Sequence, residues 1–321
     1  MAGPTVLIPG AGGPAAVGAI QSLRRAGFDG RIVATDASKR SAGLHLADEG
    51  YTVPRADDEA FFDAAFDLIV NEGVDVILPT SGFDIEPYAR HRDQLRAAGV
   101  VPVISPPESI DTCTDKAAFD EAMRGVAPLP ETHVDPDPRD VSGFPRFVKP
   151  VRGKGSEGAT VVHDRADLEL ALRGDDRMLV QEYLPGTEYT VDVLSDLHGN
   201  ALRAVPRERL ATKGGISTAG QVVHDEDLSR TCRRVAESLG LAGPTCMQFK
   251  RDDDGTAKLI DVNPRLGGGT VITTFAGVNL PRHSLELVAG VDVDVPEPKE
   301  VTVLRYWDQF VAGEGTEEVD A

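Results

Sequence analysis

Met247-Gln248-Phe249 and Leu259-Ile260-Asp261-Val262-Asn263-Pro264-Arg265 are two apolar runs, each broken by polar groups. Between them lies Arg251-Asp252-Asp253-Asp254-Gly255-Thr256, charged and glycine-containing. The pattern reads as a β-hairpin. Alternate residues of a strand share a face. Asp261 and Asn263 therefore point the same way, and Gln248 joins them from the neighbouring strand. Three oxygen ligands without thiolate or imidazole suit a hard cation, Mg²⁺ or in its place Mn²⁺. Arg265 follows at once, placed to meet the phosphates that such a metal carries.

Outward from the hairpin, residues 1–105 alternate strand and helix. Thr5–Ile8 is a strand and Pro14–Ala26 a helix with Gly27 past its end. Arg31–Thr35 is a second strand ending at Asp36. A helix over Glu59–Glu72, a strand over Val74–Leu78, a helix from about Glu86 to Ala98 and a strand over Val101–Ile104 complete a small parallel, doubly wound sheet. Residues 109–130 read as a helical link, followed by a proline-rich loop from Pro128 to Pro145. Strands follow at Arg146–Lys149, Thr160–His163 and Met178–Glu182, with a short helix over Asp164–Arg173. Tyr189–Ser195 and Leu202–Val205 pair around His198-Gly199-Asn200. Leu228–Leu239 and Pro281–Ala289 are helices.

Lys149 lies on a strand ahead of a glycine-rich stretch, where an ammonium reaches phosphates as a point charge. Its neighbours Phe147, Val148 and Pro150 argue against a plain surface face. Lys116, behind Thr114 and Asp115 at a helix start, reads equally as a phosphate ligand or a solvated helix residue. Gly153, Gly155 and Gly158 offer N–H groups to phosphate oxygens, or form a plain turn. No GK[ST] ends the stretch, so it is not a Walker A loop.

Taken in order, five blocks resemble the ATP-grasp superfamily. They are Asp115-Lys116, Phe147-Val148-Lys149-Pro150, Arg152-Gly153-Lys154-Gly155-Ser156-Glu157-Gly158, Gln181-Glu182-Tyr183-Leu184-Pro185-Gly186-Thr187-Glu188, and the set Gln248, Asp261, Asn263, Arg265. The resemblance is closest to the carbamoyl phosphate synthetase large-subunit-like branch, as a single module, and covers about residues 4–305. It implies a mixed α/β and α+β fold. A Rossmann-like domain (1–108) precedes a small central lobe (109–182), a C-terminal lobe with the metal site (183–305) and an acidic tail (306–321).

The resemblance also implies roles. ATP lies between the two lobes, with adenine against Gln181, Glu182, Tyr183 and Leu184 and the ribose at Glu188. Lys116, Lys149, Gly153, Lys154, Gly155 and Ser156 hold the triphosphate, and Arg265 and Lys149 act in the chemistry. The family commonly has glutamate where this chain has Asp261, which keeps the carboxylate but shortens it by one methylene. The implied reaction is attack of a carboxylate on the γ-phosphate to give an acylphosphate, which an amine then opens. Bicarbonate or carbamate as the phosphorylated group is the alternative. Arg207 and Lys213 are the expected anchors for an anionic substrate. Gly268 and Gly269 either present N–H groups to it or form a tight turn.

Composition narrows the rest. The formal net charge is −19 over 321 residues, which argues against nucleic acid as a partner. No apolar run reaches membrane-spanning length, and the N-terminus has no basic leader. Cys113, Cys232 and Cys246 lack metal or disulfide spacing and fit a reducing cytoplasm. Lysine is scarce, eight against 25 arginines. An acidic, lysine-poor surface fits a protein adapted to high salt. Family members are often homodimers. Two rival readings stand beside the ligase. Gly10-Ala11-Gly12-Gly13 followed by Asp36 mimics the fingerprint of an NAD-binding oxidoreductase. The other rival is a non-catalytic nucleotide-binding subunit.

Overall fold

Val6, Leu7 and Ile8 are fully buried. An unbroken apolar run of this kind is stable only inside a sheet covered on both faces. The structure, a computed structural model, describes residues 3–153, 155, 157–174, 176–310 and 317–318. Its first sheet is built from β1 (Thr5–Pro9), α1 (Pro14–Arg25), β2 (Arg31–Asp36), α2 (Ala42–Leu46), β3 (Glu49–Thr52), α3 (Phe61–Asn71), β4 (Val76–Ile77), α4 (Ile85–Arg90), α5 (Arg92–Ala97) and β5 (Val101–Pro102). The strands run parallel in the order β3-β2-β1-β4-β5. α2 and β3 escape the sequence reading: β3 is a four-residue strand with no apolar alternation. The helix expected over residues 86–98 divides at His91, whose backbone leaves the helical region (φ −105°, ψ 18°) while its ring stacks on Phe62 at 3.7 Å.

α6 (Pro107–Thr114) and α7 (Lys116–Met123) lead into a four-stranded sheet. It contains β6 (Thr132–Val134), β7 (Arg146–Pro150), β8 (Thr160–Val162), α8 (Arg165–Ala171) beside it, and β9 (Met178–Glu182), in the order β6-β9-β7-β8. β6 lies within the stretch read as a proline-rich loop. Asp164 caps α8 by accepting from Asp167 N at 2.9 Å.

The largest sheet follows: β10 (Glu188–Ser195), β11 (Ala201–Lys213), β12 (Ile216–Val222), α9 (Glu226–Ser238), β13 (Gly243–Arg251), β14 (Ala257–Asn263), α10 (Thr270–Phe275), α11 (Leu280–Val288) and β15 (Thr302–Leu304). Its antiparallel order is β14-β13-β10-β11-β12-β15. Within 306–321, β16 (Glu317–Glu318) pairs with β3 in parallel, making it the outer strand of the first sheet. β11 extends far beyond the expected Leu202–Val205. Its charged outer half is satisfied across the sheet, Arg207 by Asp192 and Arg209 by Glu188.

The first and third layers share a core. Val6, Ile8 and Leu23 pack in one cluster with Leu266, Ile272 and Leu280. A Cβ on Gly18 would stand 3.3 Å from Val271, so glycine lets α1 and α10 approach closely. α6 and α7 bury Cys113, Phe119 and Met123 against Val191, Val193 and Met247 of the large sheet.

Candidate active site

A cleft of about 620 Å³ opens between the four-stranded and six-stranded sheets. One wall carries Lys116, Phe147, Lys149 and Gly153, the other Gln248, Asp261, Asn263 and Arg265. Gln248 faces Asp261 directly across the β13/β14 ladder. A register shift beside Gln248 places these donors at a local twist of the ribbon. Asn263 donates from Nδ2 to Asp261 Oδ2 at 2.7 Å. Arg265 Nη2 donates to Asn263 Oδ1 at 2.9 Å and Nη1 to the Leu266 carbonyl at 2.9 Å. Its Nε is buried without a partner.

Lys149 reaches the same ribbon from the opposite wall, donating to the Ile260 carbonyl at 3.0 Å. Burial pushes its pKa down to about 8, against the opposing pull of Asp261. Lys116 donates to the Gly153 carbonyl at 3.0 Å and so ties the start of α7 to the glycine-rich stretch. Asp115 caps that helix by accepting from Ala117 N and Ala118 N. Gly155 and Gly158 have φ of +67° and +70°. Lys154 and Ser156, expected at the phosphates, lie outside the described residues.

At the far end of the cleft, Gln181 is paired on both sides inside the four-stranded sheet. Its side chain donates to Thr132 Oγ1 at 2.9 Å. The backbone left to meet a base is therefore that of Tyr183 and Leu184, past the strand's end; both line the cleft. The Glu182 carboxylate receives Lys258 Nζ at 2.7 and 2.6 Å and Glu131 N at 3.1 Å. This carboxylate, expected against adenine, is thus largely committed to protein donors. Glu188 lines the cleft and accepts from Arg209. Arg209, Lys250 and Lys258 were missed in the sequence. Their only signal is strand parity: Lys250 and Gln248 are two apart on one strand, and Arg209 lies on an extension of β11 that its charges disguised.

Two models of known families match the chain. One, described as ATP-grasp in the biosynthetic pathway with Ter operon, matches residues 175–310; the other, described as PylC-like, N-terminal domain, matches residues 6–104. The ATP-grasp match thus lies in the C-terminal part of the chain. Among its relatives, the carbamoyl phosphate synthase large chain of Thermoplasma acidophilum is 25% identical over 84% of this chain and 28% of its own length. This chain thus spans little more than a quarter of that relative. Two solved structures share its fold. The biotin carboxylase domain of Hydrogenobacter thermophilus 2-oxoglutarate carboxylase, in complex with MgADP, ADP and bicarbonate, matches with a TM-score of 0.73, at 20% identity, over 91% of this chain and 71% of that one. The L-amino acid ligase of Bacillus licheniformis matches with a TM-score of 0.69, at 19% identity, over 89% and 74%.

The oxygen set of Gln248, Asp261 and Asn263 fits a hard cation in donor type. Asp261 is its single carboxylate, and among the described residues no group of three or more His, Cys, Asp or Glu side chains gathers elsewhere. One carboxylate and two amides make a weak site for a bare cation and a suitable one for a cation already carried by phosphates.

The substrate end differs from expectation. Arg207 is 1% exposed and lies behind the cleft wall, donating from Nε and Nη2 to Asp192 at 2.9 and 3.1 Å. It is a structural ion pair here, not an open anchor. Lys213 lies at the tip of the β11–β12 hairpin, 5.6 Å from the Trp307 ring centroid, outside the cleft lining. Gly268 and Gly269 sit in tight surroundings. A Cβ would stand 3.1 Å from Pro14 Cγ at the first and 2.8 Å from Arg207 Nη1 at the second. The same contact bears on the NAD reading. Gly268 packs on Pro14 at the start of α1, and Asp36 already accepts from Gly12 N at 2.7 Å and Ser38 N at 2.9 Å. A ribose hydroxyl would find that carboxylate engaged.

Proposed function

We propose that the chain is a Mg·ATP-dependent ligase that joins a carboxylate to an amine through an acylphosphate. The observation that carries this reading is the opposition of Lys149 and Lys116 on one wall to Gln248, Asp261, Asn263 and Arg265 on the other. Cations on both sides of one cleft match the charge of a triphosphate. Gln248, Asp261 and Asn263 would hold Mg²⁺, which when bound neutralises phosphate charge as a Lewis acid.

The chain's own groups then divide the work. Tyr183 and Leu184 offer backbone to the base, and Glu188 takes the ribose. Lys149 and Lys116 hold the phosphates in line with the incoming carboxylate oxygen, which bonds to the γ-phosphorus as ADP leaves. Arg265 stabilises the negative charge on the transferring phosphoryl group. It does so again on the tetrahedral centre when the amine attacks the acyl carbon and inorganic phosphate departs. The ammonium of the attacking amine must lose a proton before attack.

A second reading, bicarbonate as the phosphorylated carboxylate, draws support from the likeness to the carbamoyl phosphate synthase chain and to a fold solved with bicarbonate. Hydroxylamine separates the two. Acyl phosphates of stable carboxylic acids give hydroxamates that persist and can be weighed, and fractionating a small-metabolite pool against hydroxamate yield names the acid. A cytoplasmic, high-salt setting and a homodimer belong to the same proposal. ADP release is measured in high-KCl buffer with Mg·ATP and that pool. Release that needs both the pool and Asp261, and is lost in Asp261→Asn, supports the ligase. Release indifferent to Asp261→Asn, or none with any pool, overturns it in favour of a nucleotide-binding subunit.

A further inference from the structure

Three side chains converge on the cleft wall at the end assigned to the ribose. Glu188 begins β10, Lys250 stands opposite it on β13, and Arg209 reaches it from β11 on the other side. All three line the cleft. The Arg209 side chain is only 6% exposed, against 30% for Glu188. Its Nη1 donates to the Glu188 carboxylate. Its Nη2 donates to the Gly215 carbonyl at 2.6 Å, and its Nε is buried without a partner.

Gly215 is in the turn between β11 and β12, where Gly214 and Gly215 have φ of +55° and +73°. Register shifts around Ala211 bend the β11–β12 ladder just before that turn. Thr212 and Gly215 consequently line the same cleft as Glu188. One planar guanidinium spans a carboxylate on one strand and a carbonyl on a hairpin turn. An ammonium on a flexible stem has no matching fork.

We infer that Arg209 is a positioning residue for the nucleotide. It fixes the Glu188 carboxylate toward the ribose hydroxyls and pins the β11–β12 turn against the same site. This rests on the reading of the cleft as an ATP site. A partly exposed glutamate held by no cation samples several rotamers, and a hydrogen bond to a ribose hydroxyl must then order it first. With Arg209 in place that ordering precedes nucleotide binding, so discrimination by ribose hydroxyls depends on Arg209 although Arg209 need not touch the sugar.

The test is calorimetric binding of Mg·ATP, Mg·2′-deoxyATP and Mg·3′-deoxyATP to the full chain, with no second substrate. Wild type is compared with Arg209→Met, Arg209→Lys and Glu188→Gln. Wild type should bind at least one deoxynucleotide about tenfold more weakly than ATP, the loss of one charged hydrogen bond. In Arg209→Met and in Glu188→Gln that ratio should collapse to within about twofold of unity, and Arg209→Lys should restore part of it. A purely structural arginine would weaken all three nucleotides alike and leave the ratio intact; that result overturns the inference. If wild type binds all three equally, the inference fails while the ATP cleft stands. If it binds none, the ATP reading itself fails. Should Arg209→Met not fold, Arg209→Lys decides, since the ratio must fall below half its wild-type value there.

Discussion

Lys149 keeps its charge where burial disfavours it, and the consequence is measurable without substrate. Its pKa falls from 10.5 to about 8, chiefly through desolvation and in spite of Asp261. Between these values the unfolded chain holds a proton that the folded chain has released, so this group makes stability rise with pH across that window. Below about pH 8 both states are protonated and the full cost of burying the ammonium remains. In EDTA-treated, nucleotide-free protein, Lys149→Met should therefore be more stable than wild type at pH 7, with the gap narrowing toward pH 10. Urea midpoints at the two pH values check this; parallel profiles would show that Lys149 is not the cause. The same variant should lose Mg·ATP affinity, since the phosphates are what reward the buried charge. Asp192 presents the opposite case. It accepts from Arg207, Thr270 and Thr273 and is 1% exposed. Asp192→Asn leaves the buried Arg207 without its counter-charge and should destabilise the fold by about 3–5 kcal/mol, read from urea unfolding. Asp261→Asn, in a cleft open to water, should change stability far less.

Among elements, the β13–β14 hairpin was the most legible because its two periods agree: apolar residues point to the core, and polar ones two apart point to the cleft. Gln248, Asp261, Asn263 and Arg265 emerge together in the structure for that reason. The parallel sheet was legible from buried runs such as Val6-Leu7-Ile8, which no other element explains. What stayed hidden was hidden by partners far away in sequence. The part of β11 beyond Val205 carries no apolar pattern and is explained only when Asp192 and Glu188 are seen beside it, and Arg207 reads as an open anchor for the same reason. β6 and β3 are short strands whose residues carry no apolar alternation. Lys258 gave no signal beyond strand parity, yet it joins three elements, its ammonium bound to Glu182 at the end of β9 and to Asp252 in the hairpin turn. This bridge couples the end of β9 to the ribbon that carries Gln248, Asp261 and Asn263. Lys258→Met removes a partly buried charged hydrogen bond and should cost about 1–3 kcal/mol in urea unfolding. Mg·ATP affinity should fall with it, because Glu182 would no longer be held to the ribbon. Loss of stability with unchanged nucleotide affinity would confine the bridge to a structural role.

At the scale of the whole molecule, two electrostatic effects oppose each other as salt is added. The chain carries a net charge of −19, so the folded surface repels itself. It also carries many ion pairs, among them Arg24–Asp48, Arg139–Asp137 and Arg251–Asp225. Exposed pairs of this type contribute about 0–1 kcal/mol each, and salt weakens them. Self-repulsion sums over every acidic group within a Debye length, about 8 Å at physiological ionic strength and about 3 Å at 1 M. Pairs in contact at 2.5–2.9 Å remain inside even the shorter length, whereas most of the repulsion lies outside it. The balance therefore favours salt: the thermal midpoint should climb as KCl rises from about 0.1 to about 2 M, and climb most steeply below about 0.5 M, where the Debye length changes fastest. Sulfate salts would stabilise most proteins by exclusion from the surface, so KCl is the discriminating choice. A midpoint that falls with KCl would mean that the ion pairs outweigh the repulsion, and the acidic surface would then have no bearing on salt adaptation.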